Sequence, residues 1–255
     1  MSINRCASGV GLLFLEGSFL LLGLLGLSSC SVSSPSASTE TDEIELRMVH
    51  ASPNAPPLSL IVGGLTFPSV EYGNQGSYER ILTGTYDLGF RAGSRGLDQL
   101  IPANSQVGNT VIDFPERGTF TVVAVDEPAR VTALILEDRQ PPEFGMATVR
   151  FVHAVPDAPA LAWESTDTSA VVTGLEFGQV SNYVALDPGF TTLLLTTTAA
   201  EVTAFTDPVA GTVLDEFDLE LDAGKVYSLV VTGLLRGDPG LQLILSEEDQ
   251  ANEFL

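Results

Sequence analysis

Positive charge is scarce in this sequence. Against 33 Asp and Glu stand 11 Lys and Arg, of which Lys225 is the only lysine, and the formal net charge is −22. Phosphate backbones are bound by clustered basic side chains that displace counterions, so a chain this acidic excludes nucleic acid as a partner and disfavours an anionic lipid surface. Cysteine is nearly absent too. Cys6 and Cys30 both fall within the first thirty residues, so the rest of the chain can form no disulfide, thiolate metal site or cysteine nucleophile. His50 and His153 are the only histidines, too few for a histidine-rich metal centre. Phosphate loops and dinucleotide fingerprints are missing as well, so no cofactor and no metal are expected.

What is present begins with a processing signal. Arg5 gives a positive start, and an apolar stretch runs from Val10 to Leu27, interrupted by Glu16. Its uninterrupted part, Gly17 to Leu27, is about half the roughly twenty residues a membrane-spanning helix needs, and it ends at Leu27-Ser28-Ser29-Cys30. That tetrad resembles the lipobox of bacterial lipoproteins, which implies a signal peptide over residues 1–29 and a lipidated Cys30 that anchors the mature chain in a membrane. The carboxylate of Glu16 departs from such signals. Residues 30–43 follow as a Ser, Thr and Pro tether too polar to bury a core, with a root-mean-square reach of about 20 Å. Ser31 stands where an inner-membrane retention signal would carry Asp, so the expected address is the cell envelope, at the outer membrane or cell surface.

The remainder repeats itself. Leu46-Arg47-Met48-Val49-His50-Ala51-Ser52-Pro53-Asn54-Ala55-Pro56 returns as Val149-Arg150-Phe151-Val152-His153-Ala154-Val155-Pro156-Asp157-Ala158-Pro159, 103 residues later. Further matches pair Leu65-Thr66-Phe67 with Leu175-Glu176-Phe177, Tyr78 with Tyr183, Gly84 with Gly189, Phe120-Thr121 with Tyr227-Ser228, and Leu134-Ile135-Leu136 with Leu243-Ile244-Leu245. Growing offsets read as loop-length changes between two copies of one domain, over residues 44–140 and 146–250, joined where Pro141-Pro142 halts any strand.

Each copy is β by pattern. Thr119 to Val125, Val131 to Leu136, Thr191 to Thr197 and Tyr227 to Thr232 are short runs of Val, Thr, Leu and aromatics bounded by Gly, Pro and Asp. Apart from a frayed turn over Ser246 to Leu255, nothing in the mature chain has a helical period. The expected fold class is therefore all-β, two tandem Ig-like antiparallel β-sandwich domains of about seven strands each, with a small barrel as the rival.

The repeated Arg-x-x-His-Ala-Ser-Pro-Asp-Ala-Pro pattern resembles a family of bacterial exported cell-surface domains known only as a domain of unknown function, often found in tandem. The resemblance implies an Ig-like sandwich and no established activity. It also implies an Asp in the strand after the motif, where this chain has Ser59 and Ala162, and an Asp before the following glycine, where the first copy has Gly63.

Alternation places Leu46, Met48 and His50 on one strand face, and Val149, Phe151 and His153 on the equivalent one. Both histidines thus leave the apolar side, and each is expected to bond a group in its own Pro-containing turn, with a structural role. Arg47, Pro53 and Asn54, and Arg150, Pro156 and Asp157, complete the motif as structural residues, the prolines fixing φ and Asn54 or Asp157 bonding backbone amides. No catalytic residue is assigned. Other candidates reduce to ordinary elements. Asp215, Glu216, Asp218, Glu220 and Asp222 suggest a calcium site, but Glu216, Asp218, Glu220 and Asp222 alternate with Phe217, Leu219 and Leu221, which is a strand with a wet acidic face and not a calcium loop. Gly93-Ser94-Arg95-Gly96 tips a hairpin and lacks the order of a nucleophile elbow. Trp163 reads as core, with a carbohydrate platform as the alternative. Two function classes follow: a non-catalytic envelope module that binds a protein or glycan or serves as a structural spacer, and, second, an envelope hydrolase or metal-dependent enzyme with its site near the His-Ala-x-Pro motifs.

Overall fold

Runs of alternating side chains fold here into seventeen strands in a computed structural model, which describes residues 42–93, 99–102, 111–138, 140–166, 170–198 and 210–248. The signal peptide, Cys30 and all but the last two residues of the tether lie outside the described residues. The first copy contributes β1 (Glu43–His50), β2 (Leu58–Val62), β3 (Leu65–Thr66), β4 (Glu79–Leu82), β5 (Gly84–Ala92), β6 (Gln99–Pro102), β7 (Val111–Phe114), β8 (Gly118–Val125) and β9 (Thr132–Glu137). The second contributes β10 (Ala147–Ala154), β11 (Leu161–Ser165), β12 (Ala170–Leu175), β13 (Val184–Leu186), β14 (Gly189–Thr197), β15 (Val213–Leu221), β16 (Val226–Thr232) and β17 (Gln242–Glu247). No helix occurs among the described residues, and Ser246 and Glu247, expected in a terminal turn, close β17.

Each copy is a sandwich of two sheets, and no sheet mixes strands from both copies. In the first copy, β4-β1-β8-β9 faces β3-β2-β5-β6, with β7 also on β5; in the second, β13-β10-β16-β17 faces β12-β11-β14-β15. The pairing is antiparallel except at one place per copy. β1 runs parallel to β8, His50 beside Ala124, and β10 runs parallel to β16, His153 beside Val231. The expected all-antiparallel sandwich is therefore mixed, because the motif strand inserts beside the penultimate strand in its own direction.

Alternation explains the cores. Ile44, Leu46 and Met48 point between the sheets of the first copy to meet Leu58, Leu60 and Phe90, and Val149 and Phe151 do the same in the second against Leu161, Trp163 and Leu195. The other face of the motif strand is buried as well. Val49, Ala51, Val123 and Leu134 pack with Val152, Ala154, Val230 and Ile244, so the sheets that carry β1 and β10 lie face to face. Four sheets thus enclose three apolar layers, and residues 40–255 form one compact unit. Every residue of β10 is buried, as a strand covered on both faces requires.

A two-residue turn at Gly63-Gly64, with φ of 55° and 88°, closes the hairpin of β2 and β3. Asp-Gly is common in such turns, yet a Cβ on Gly63 would lie 2.5 Å from Cδ1 of Tyr86. Packing of the Tyr86 ring over the turn accounts for a glycine at position 63, where the resemblance implied Asp.

Candidate functional site

The two histidines have the same surroundings. His50 Nε2–H donates to the carbonyl of Pro56 at 3.1 Å, and its Nδ1 accepts the amide of Ser52 at 3.3 Å. His153 Nε2–H donates to the carbonyl of Pro159 at 3.1 Å, and its Nδ1 accepts the amide of Val155 at 3.2 Å. A carbonyl can only accept and an amide only donate, so both rings are held as the neutral Nε2–H tautomer. Both are fully buried, with ring edges against Tyr72 and Phe177 respectively. Burial lowers both pKa values, that of His153 to about 4, with the proline carbonyls pulling weakly the other way.

The turns after them are four-residue turns with proline second, closed by the amide of Ala55 on the carbonyl of Ser52 and by Ala158 on Val155. Asn54, after Pro53, adopts φ of 63°, a left-handed conformation that asparagine tolerates. Asp157, after Pro156, reaches beyond its own turn. Its two carboxylate oxygens accept the amides of Leu235 at 2.7 Å and Arg236 at 2.9 Å, which fixes the loop after β16.

Arg47 and Arg150 leave the opposite strand face and enter the junction between the copies. Arg47 Nε donates to Thr121 Oγ1 at 2.9 Å and its Nη1 to the carbonyl of Glu247, in the second copy, at 2.8 Å. Arg150 Nε donates to Ser228 Oγ at 2.7 Å and its Nη1 to the carbonyl of Glu137, in the first copy, at 2.9 Å. Thr121 and Ser228 pass the chain on, to Asp138 Oδ2 and Glu248 Oε1, both at 2.6 Å. Tyr78 and Tyr183 cover the guanidinium planes and donate their hydroxyls to Asp138 and Glu248. The symmetry breaks at one point. Arg150 Nη2 forms ion pairs with both Asp138 and Glu248, whereas Arg47 Nη2 is buried without a hydrogen-bond partner.

Two guanidiniums and two carboxylates thus share a buried junction. Burial raises the pKa of Glu248, and Arg150 beside it opposes that rise. The Tyr78 and Tyr183 hydroxyls are pushed far above their ordinary range by burial, with neighbouring carboxylates adding to the rise. The arrangement is a buried network of donors and acceptors that ties sheet to sheet, with Arg47 Nη2 its one unpartnered guanidinium nitrogen.

The other candidates sit apart. Trp163 is fully buried between Phe151 and Phe217, at 5.0 and 5.9 Å between ring centres, which removes it as a carbohydrate platform. Asp218 and Glu220 line the exposed face of β15, and Asp218 accepts from Thr192. No group of metal-ligating side chains occurs among the described residues. Ser94 to Gly96 lie outside those residues, between the paired strands β5 and β6.

Sequence reasoning missed Asp138 and Glu248. Thr121 pairs with Leu136 while Ser228 pairs with Ser246, so Leu136 corresponds to Ser246 and Asp138 to Glu248. Matching Leu134-Ile135-Leu136 to Leu243-Ile244-Leu245 is one residue out of step, and in a strand that slip exchanges the two faces. The match of Leu65-Thr66-Phe67 to Leu175-Glu176-Phe177 is likewise displaced. Gly73 and Gly178 donate to the carbonyls of His50 and His153, so Phe177 is the counterpart of Tyr72.

Fold and junction together define a tandem β-sandwich module whose repeated polar residues are used inside the molecule. Residues 44–164 and 147–253 each match the family described as Domain of unknown function (DUF4397), and the chain belongs to that family. The two matches overlap along β10 and β11. No curated protein matches the chain. Among solved structures, the C-terminal domain of AlgF from P. aeruginosa is similar at 18% identity over 40% of this chain and 98% of that one, with a TM-score of 0.26. The Bacillus anthracis TIE protein is similar at 11% identity over 75% of this chain and 34% of that one, with a TM-score of 0.22. A leucine-rich repeat protein from Bacteroides thetaiotaomicron follows at 13% identity over 76% of this chain and 26% of that one, with a TM-score of 0.20.

Proposed function

We propose that this chain is a non-catalytic lipoprotein of the cell envelope, anchored through Cys30 and presenting two sandwiches as a binding or spacing module toward an envelope protein or glycan. The observation that carries the non-catalytic reading is the use of the motif's imidazoles. Both nitrogens of His50 and of His153 are bonded to backbone, so neither ring has a lone pair free for a metal or a free site for a substrate proton. The anchored reading rests on Leu27-Ser28-Ser29-Cys30 and the polar tether behind it.

Labelled palmitate tests the anchor. Incorporation into the parent and none into Cys30→Ala, with the variant lost from membranes, is the expected result; a variant that fractionates like the parent overturns it. For the module, a glycan array and a pull-down from envelope extract address the partner. Thermal unfolding with excess Zn²⁺ or Ca²⁺ addresses catalysis by a metal, and a rise in melting temperature that vanishes in His153→Ala would overturn the non-catalytic reading.

A further inference from the structure

The face that joins the copies is made of the same residues twice. At its polar end Arg47 crosses to the carbonyl of Glu247, and Arg150 crosses to the carbonyl of Glu137. Those glutamates hold equivalent places, Glu137 opposite Phe120 and Glu247 opposite Tyr227. At its apolar centre Val49 and Val123 of one copy meet Val152 and Val230 of the other. Reciprocal contacts of this kind, residue i on j and j on i, are the signature of a two-fold interface between like subunits.

Such a face has no tolerable uncovered state. Left alone, a copy would expose its share of the apolar layer and give up the ion pair that Arg150 of the second copy makes with Asp138 of the first. Beyond these contacts the copies are linked only by the chain itself, through the join Glu137 to Gly145, of which residues 140–145 are exposed and strand-free.

We infer that this face is a self-recognition surface whose partner is another copy of the same domain, and that a second molecule of this chain can supply that copy when the molecule's own is out of reach. The first copy of one chain then takes the second copy of another, and the reverse, giving a closed two-fold dimer with the same contacts as the monomer. For a surface protein, this amounts to a homotypic bridge between neighbouring molecules.

The compact unit, residues 40–255, is the material for the test. Deleting Gln140 to Glu143 takes four residues, about 13 Å of extended chain, out of the exposed join. Light scattering coupled to size exclusion should show a doubled mass, with the melting temperature and Trp163 emission of the parent; a folded monomer overturns the inference. Because the deletion variant can fail to fold, a protease site inserted between Pro142 and Glu143 gives a second reading. After cleavage the halves should remain together and should accept a fluorescently labelled half from another cleaved molecule. Separation of the halves, or association without exchange on mixing over a full unfolding and refolding cycle, overturns it.

Discussion

Arg150, on the motif strand of the second copy, forms its buried ion pair with Asp138 at the end of the first copy's last strand. The contact makes one domain's signature residue dependent on the other domain's terminus. It also links the energetics of the two sandwiches.

Removing Arg150 should be far more damaging than removing Arg47. Arg150 neutralises two buried carboxylates, and taking away one member of a buried pair costs about 3–5 kcal/mol through the charge left behind. Arg150→Met should therefore lower the melting temperature of both copies together. Arg47→Met, which removes a guanidinium bonded only to the neutral acceptors Thr121 Oγ1 and the Glu247 carbonyl, should cost about 1–3 kcal/mol. Calorimetry of the two variants checks the order, and equal losses would contradict it.

The histidines make stability depend on pH in a stated direction. Burial favours the neutral ring, so the unfolded chain binds the proton more readily, and the stabilisation is present above the ordinary pKa of 6.5. It is lost as pH falls toward about 4, the folded value for His153, a span worth about 3 kcal/mol. His50 acts in the same sense, while Glu248, raised by burial, acts oppositely, its contribution present in acid and lost as pH rises through its folded value. His153→Gln keeps a donor for the Pro159 carbonyl and removes the titration. Its melting temperature should be lower than the parent's at pH 7 and should fall less between pH 6.5 and 4.

Trp163 serves as an internal probe of the second sandwich. Its emission should be that of a buried indole, insensitive to soluble quenchers and to added oligosaccharides. Trp163→Ala should cost about 3–5 kcal/mol through the cavity left between Phe151 and Phe217. A quenchable indole would contradict the packing described.

Asp157→Ala should release the loop after β16. Two backbone amides lose their acceptor, but the group is exposed and water replaces it, so about 1 kcal/mol is expected. Faster amide exchange at Leu235 and Arg236, with the core unaffected, is the measurement.

Much of this was legible in the sequence. The repeat located both copies, and period-two alternation put Leu46, Met48 and His50 on the inner face, where they are found. The second buried face was not legible. A hydrophobic pattern shows that Val49 and Val123 want cover but not what covers them, and the natural assumption for a sandwich is water outside and core within. The guanidinium of Arg47 or Arg150 on that face reads as solvated for the same reason. Asp138 and Glu248 were hidden by an alignment of Leu and Ile runs in which a one-residue slip looks as good as the true register, because apolar residues stand on both faces of β9 and β17.

The parallel pairing of β1 with β8 bears on mechanics. β1 is the first strand of the fold, bonded to β8 from Ile44 to His50 on one side and to β4 from Glu43 to Leu46 on the other. A pull directed along β1 loads those rungs together, in shear, so that they must fail at once; a strand peeled sideways from a sheet edge gives way one rung at a time. A molecule tugged by flow or by a partner while its N-terminal side is held would meet the load along β1 in this shear geometry.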